Sequence, residues 1–155
     1  MTNVHASGLV IGDRGIMVTG PSGAGKSTLV LALLRHCAAT ATPGWLLGDD
    51  RLVLSAANGR LLARAPARIA GLAEIHGLGA RPVAFEASAV IDLCVQLLPA
   101  SEVPRLDPAE AAEFVGIAVP SLAVPQRVVA ASLPAVMARI ADSGASRGAC
   151  VGVAG

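Results

Sequence analysis

Residues Gly20 to Thr28 read GPSGAGKST, and Lys26 within them is the only lysine in a chain of 155 residues. The eleven other cationic side chains are all arginine. Polyphosphate binding would explain a lone lysine in such a turn. GPSGAGKS fits GxxxxGK[ST], the phosphate-binding P-loop. Gly20, Gly23 and Gly25 admit backbone conformations that a side chain would block. The loop amides, from Gly20 and Ser22 through Ala24 to Thr28, can then converge on phosphate oxygens. A helix opening near Lys26 adds its positive end. The compact ammonium of Lys26 fits between β- and γ-phosphates, where a broad planar guanidinium fits poorly. Ser27 offers a hydroxyl to Mg2+.

The flanks suit that loop. Leu9–Ile11 and Ile16–Thr19 surround the turn Gly12-Asp13-Arg14-Gly15, the pattern of an antiparallel hairpin. Behind the loop, Thr28–Cys37 (TLVLALLRHC) repeats Leu29, Leu33 and Leu34 at helical spacing. Ala38–Gly44 reads as loop, and Trp45–Leu47 runs into Asp49-Asp50. Arg51–Ser55 and Arg60–Ala63 predict two strands around Ala57-Asn58-Gly59. The glycine-dotted AGLAEIHGLGARPV predicts loop with one helical turn at most. Ala89–Leu98 predicts a buried strand, Pro99–Pro108 a loop, and Val119–Val128, with two prolines, an extended segment. Ser132–Asp142 predicts a second helix, with Ser132 its N-cap and Pro134 in its first turn. The small residues from Ser143 onward predict a frayed tail. With no internal repeat or boundary, one domain over residues 1–155 is expected.

Composition excludes several classes. Apolar residues make up 54% and charged ones 15%, so the chain is neither disordered nor supercharged. A net charge of +1 leaves no electrostatic footprint for nucleic acid or anionic lipid. One Trp, two Phe and no Tyr offer no base-stacking platform. The apolar runs stop at Arg35 and are interrupted by Asp92 and Gln96, too short to span a membrane. MTNVHASG lacks the basic and apolar regions of a signal peptide. Cys37, Cys94 and Cys150 show no CxxC spacing and predict reduced thiols in a cytoplasmic protein.

Asp49-Asp50 stands where a core strand should end. Two roles fit the pair: one carboxylate helps hold Mg2+, and one accepts the proton of an attacking hydroxyl. His5 lies 21 residues before Lys26, and taken alone it suits a surface histidine. Glu74 and His76 sit in the glycine-dense AEIHGLG, where a loop can approach phosphate or metal. His36 predicts only a charge partner for a helix C-terminus.

Taken in order, HASGLVIGDRGIMVTGPSGAGKS, LLGDD, APARIAGLAEIHGLG and VPSLAVPQRV resemble the catalytic domain of the HPr kinase/phosphorylase family, from about His5 to about Asp142. The order and the EIHGLG stretch make the match specific. The resemblance implies an α/β fold, a P-loop-containing mixed β-sheet with flanking helices, akin to phosphoenolpyruvate carboxykinases. It implies ATP (or pyrophosphate) and Mg2+, and an HPr-like phosphocarrier protein as substrate, with phosphate removing the group again. On this likeness Asp49 is the general base, and the acid in reverse. Ser27 and Glu74 serve the metal with Asp50 in support. Lys26 holds the transferring phosphate, with His5 beside it. The chain departs from the family pattern at Pro21 (usually Asp), Thr28 (Glu), His76 (Arg) and Ala6-Ser7 (Gly after the histidine). It begins at the catalytic domain, without the family's N-terminal domain, and its tail is shorter. A homo-oligomer is left open.

Three functions are weighed on these residues. The first is a serine kinase, with or without phosphorylase activity, acting on an HPr-like protein. The second is a small-molecule kinase using Arg60, Arg64, Arg68 and Arg81 as a lid. The third is a nucleotide- or phosphate-binding regulatory module without catalysis. A GTPase is excluded, because [NT]KxD needs a second lysine, and no LSGGQ-like signature of transporters is present.

Overall fold

The computed structural model describes residues 1–148, with side chains up to Ser143. Cys150 lies outside the described residues. The chain opens with β1 (Thr2–Val4), β2 (Ala6–Ile11) and β3 (Arg14–Thr19), and α1 (Lys26–Ala39) follows the glycine-rich loop. Next come β4 (Gly44–Gly48), β5 (Leu52–Ala57) and β6 (Arg60–Arg64), then a 3-10 turn at Ala67–Ile69. A small hairpin, β7 (Leu72–Ile75) and β8 (Gly79–Pro82), precedes the long β9 (Ala89–Leu98). A 3-10 turn at Ala100–Glu102, β10 (Ala111–Phe114), β11 (Ile117–Pro125) and α2 (Val129–Gly148) complete it.

Nine strands form one mixed sheet in the order β1-β5-β6-β9-β3-β2-β4, with β11 beside β9 and β10 beside β11. The start of β9 pairs antiparallel with β6, and its end pairs parallel with β11. Along its other edge runs β3, also parallel. Because β2 is antiparallel to both β3 and β4, those two share a direction. The C-terminal ends of β3, β4, β9 and β11 therefore reach one edge of the sheet, where open α/β sheets bind ligands.

Side-chain alternation divides the core. Ile16, Val18, Leu93, Val95, Leu97 and Val124 face the helices and pack on Leu29, Val30 and Leu33 of α1 and Val136 of α2. Met17 and Cys94 face the other way, onto Leu52 and Leu54 of β5 and Leu61 of β6. Burial pushes the Cys94 thiol up to about 11 and raises that of Cys37 as well. Both are free thiols in the core, as their lack of spacing implied.

A bulge resets the alternation. Gly15 pairs with Ile91 and Ile16 with Leu93, so Asp92 is an extra residue on β9. Its Oδ2 accepts the Gly15 N–H at 3.0 Å, and Ile91 and Leu93 end in different cores. Only glycine fits at position 15, since a Cβ there would overlap the Val90 carbonyl oxygen. Gly15→Ala is expected to destabilise the fold by about 2 kcal/mol or more. Urea unfolding would read this as a lower midpoint at unchanged slope.

The structure departs from the sequence reading in four places. AGLAEIHGLGARPV holds the β7–β8 hairpin, not loop alone, because Gly71, Gly77 and Gly79 take positive φ at its turns. Its strands are too short for periodicity to register. β1 and β10 are additional edge strands with mostly exposed residues, so no apolar alternation marked them. The second helix starts at Val129, three residues early, because the Ser132 N–H already donates to Val128 O at 3.0 Å. Ser132 is thus no N-cap, and Pro134 lies inside α2. The helix also continues past Asp142 to Gly148, where fraying was expected.

Candidate active site

The phosphate-loop segment connects the end of β3 to α1. Gly23 (φ 79°) and Gly25 (φ 94°) lie in the left-handed region that side chains disfavour. Gly25 precedes the helix without a side-chain cap, leaving first-turn amides of α1 available to an anion. Lys26 is 7% exposed, and its Nζ donates to Gly20 O at 2.9 Å and Pro21 O at 3.2 Å. The ammonium closes the loop on itself. A second brace comes from Arg127, just beyond β11. Its N–H donates to Ala24 O at 3.1 Å and its Nε to Gly23 O at 2.7 Å. Its φ of 61° is unusual for a side-chain-bearing residue and is held by these contacts.

Asp49 follows β4 and is 7% exposed. Its Oδ1 accepts the Ser27 hydroxyl at 2.6 Å and the Ser7 hydroxyl at 2.9 Å. Its Oδ2 accepts the Glu74 N–H at 2.8 Å and retains a lone pair for another proton. Ser7 also accepts the Asp50 N–H at 3.0 Å, so one hydroxyl ties the two aspartates. Asp50 has φ 65°, and the Arg51 N–H donates to Asp49 O at 2.8 Å to close a tight turn around it. That turn leaves the Asp50 carboxylate exposed, 3.8 Å from His5 Nδ1.

Glu74 reaches Asp49 because the β7–β8 hairpin is pinned beside β4. Val83 N–H donates to Gly71 O, and Leu46 exchanges backbone bonds with Ala84 and Glu86. The Glu74 side chain is exposed, and with Asp49 and Asp50 it lines a cavity of about 240 Å3. Among the described residues no group of three or more His, Cys, Asp or Glu side chains could hold a metal by itself. The nearby donors, Ser27, Asp49, Asp50 and Glu74, are all oxygen. That set fits Mg2+, which takes one or two carboxylates and completes its shell with phosphate and water.

The sequence-expected residues Lys26, Ser27, Asp49, Asp50, Glu74 and His5 thus gather at one edge of the sheet. His76 is exposed in the β7–β8 turn, and His36 lies in the last turn of α1. Arg60 pairs with Asp92 at 3.3 Å near the start of β9, at the end of that strand away from the phosphate loop. Arg64, Arg68 and Arg81 are spread over β6, the 67–69 turn and β8. Sequence reasoning missed two contributors. Ser7 carried a signal, since a polar residue within the apolar ASGLVI must find a partner if buried. Arg127 lies in the quoted VPSLAVPQRV, but nothing there gave it a role, because its place depends on β11 ending beside the loop. Among the described residues no helix is long and apolar enough to cross a membrane.

A family model for the HPr serine kinase C-terminal domain matches residues 1–143. The HPr kinase/phosphorylase of Mycoplasma mycoides subsp. mycoides SC is 33% identical over 75 residues, 48% of this chain and 22% of that protein. The HPr kinase/phosphorylase of Clostridium beijerinckii is 32% identical over 78 residues, 50% of this chain and 24% of that protein. The matched stretches thus span about a quarter of these relatives' length. Among solved structures, the HPr(Ser) kinase/phosphatase of Coxiella burnetii superposes with a TM-score of 0.77 at 24% identity. That match covers 95% of this chain and 98% of the other, and it carries the mixed α/β fold.

Proposed function

The chain belongs to the HPr serine kinase C-terminal domain family, and from that premise we propose that it transfers the terminal phosphoryl group of ATP to a serine hydroxyl of an HPr-like phosphocarrier protein. The observation that supports this best is the 2.6 Å bond between Asp49 and Ser27. It sets a buried carboxylate directly beside the loop that would seat the phosphates. A base at that distance is placed for transfer as well as for binding.

The amides of Gly20 and of Ser22 through Thr28 bind the phosphate chain, and Lys26 exchanges its two carbonyl partners for phosphate oxygens. Ser27 and Glu74 hold Mg2+, with Asp50 in support. Bound there, the ion neutralises charge that builds on the transferring oxygens. The free lone pair of Asp49 Oδ2 takes the proton of the incoming serine as its oxygen attacks phosphorus in line. The bond from that phosphorus to the β–γ bridging oxygen breaks, and ADP leaves. His5, next to Asp50, faces the same phosphate. Run backward with inorganic phosphate as acceptor, the site has Asp49 return the proton to serine and releases pyrophosphate. On this reading residues 1–155 act as one catalytic domain, and the reaction, which draws on ATP, is a cytoplasmic one.

Incubation with ATP, Mg2+ and HPr, beside HPr whose acceptor serine is alanine, is expected to phosphorylate only the unaltered protein. Mass spectrometry reads the mass gain and its position. Equal labelling of both proteins overturns the proposal.

A further inference from the structure

Arg127 sits in the link between β11 and α2, and both ends of that link are fixed. Before it, the Gln126 N–H donates to Leu98 O at 2.8 Å, which carries the pairing with β9 just past the end of β11. After it, Ser132 Oγ in the first turn of α2 donates back to Pro125 O at 2.8 Å. Held so, Arg127 lies against the phosphate loop. A Cβ at Gly23 would stand 3.6 Å from its Nη2, and one at Gly25 would stand 3.8 Å from its Cα.

The two bonds from Arg127 fall on consecutive carbonyls of the loop. Its N–H takes Ala24 O and its Nε takes Gly23 O. In a trans peptide the carbonyl and the N–H that follows it point in opposite directions. A carbonyl held toward Arg127 therefore turns the next N–H away from it, so Ala24 N–H and Gly25 N–H are aimed at the inner side of the loop. The free chain shows that direction. Ala24 N–H donates at 3.1 Å to Pro21 O, the same carbonyl that Lys26 Nζ binds. On the proposed function Lys26 leaves that carbonyl for phosphate oxygens, so the inner tie is lost while the phosphates are being seated. The bonds from Arg127 lie on the outer side and can persist.

We infer that Arg127 is a positioning residue for the phosphate chain: from outside the loop it holds the amides of Ala24 and Gly25 in their binding orientation. This deepens the proposed function and rests on it. The backbone agrees. A φ of 61° suits glycine better than arginine, and such strain is kept where the side chain serves a site.

Binding of inorganic tripolyphosphate in Mg2+ should be compared for the unaltered chain, Arg127→Gly and Arg127→Lys by titration calorimetry. Arg127→Gly is expected to bind about tenfold more weakly. Glycine relieves the positive φ as the side-chain bond is lost, so the unfolding midpoint should move by no more than about 5 °C. Arg127→Lys keeps the charge, but its ammonium lies one atom farther out than Nε and is free to turn to solvent. It should bind within about threefold of the glycine variant. In transfer assays both variants should raise KM for ATP about tenfold and leave kcat within about threefold, as a residue acting on the seat requires. Undiminished affinity in Arg127→Gly would overturn the inference and leave the phosphate seat standing. Full recovery by lysine would reduce Arg127 to a charge and overturn positioning. A fall in kcat at constant KM would place Arg127 at the reacting atoms instead, and midpoints more than about 10 °C lower would make it a support of the fold. Failure of tripolyphosphate to bind the unaltered chain would overturn the proposed function and this inference together.

Discussion

Lys26→Ala is expected to lower phosphoryl transfer by about a thousandfold or more while the fold persists, with an unfolding midpoint reduced by no more than about 8 °C. Two facts separate the effects. Among the described residues, Lys26 Nζ in the free chain donates to Gly20 O and Pro21 O. Losing those contacts costs about 1 kcal/mol each at most, since both carbonyls lie beside solvent-exposed loop residues. On the proposed function, the same ammonium meets oxygens that gain negative charge during transfer, where one fixed cation is worth several kcal/mol. Lys26→Arg should rescue little, because the planar guanidinium cannot enter the space between Gly20 and Pro21 that the ammonium fills. Steady-state transfer to HPr, with calorimetric unfolding of the same samples, measures both. An alanine variant with more than about a tenth of normal turnover would remove Lys26 from the chemistry.

The parts of this site legible in the sequence are those set by neighbours along the chain. GPSGAGKST reads as a phosphate loop because its glycines, lysine and following leucine-rich helix need no distant partner to be recognised. Asp49-Asp50 at a strand end was legible for the same reason. Spacing alone left the work of the two aspartates undivided, the family resemblance divided it, and the fold gives them different surroundings. Asp49 is buried under three donors from β2, α1 and β7, whereas Asp50 turns outward at positive φ beside His5. That separation depends on β2 lying against β4, a pairing between residues about 40 apart in sequence. Glu74 was legible through its family motif, but the means of its approach was not. The glycines around it read as loop, although they turn a hairpin whose backbone N–H reaches Asp49. The role of Arg127 was invisible, because its family-like stretch VPSLAVPQRV does not say what the arginine touches. The path of β11 along β9 alone brings it to the loop.

The division between the two aspartates leads to the second large effect. Asp49→Asn is expected to reduce turnover by about a hundredfold to ten-thousandfold with nucleotide binding retained and a smaller loss of stability than Asp49→Ala. The hydrogen bonds explain why this substitution is the milder one. An asparagine can turn its carbonyl toward the Glu74 N–H, as Oδ2 does now, and its amide toward Ser7 and Ser27. Both hydroxyls can rotate from donating to accepting, Ser7 while keeping the Asp50 N–H, so the amide finds acceptors and the main loss besides the base is an acceptor for the buried Ser7 O–H. Asp49→Ala goes further: it leaves the Glu74 N–H, the buried Ser7 hydroxyl and the half-buried Ser27 hydroxyl without their acceptor and should cost about 1–3 kcal/mol of stability. A residue that only held the site together would lose activity in proportion to stability, giving the alanine variant the larger defect. A proton acceptor gives two variants of similar inactivity and unequal stability. Unimpaired transfer by Asp49→Asn would clear Asp49 of proton transfer. The exposed carboxylate of Asp50, 3.8 Å from His5, would then be the group that meets the incoming hydroxyl.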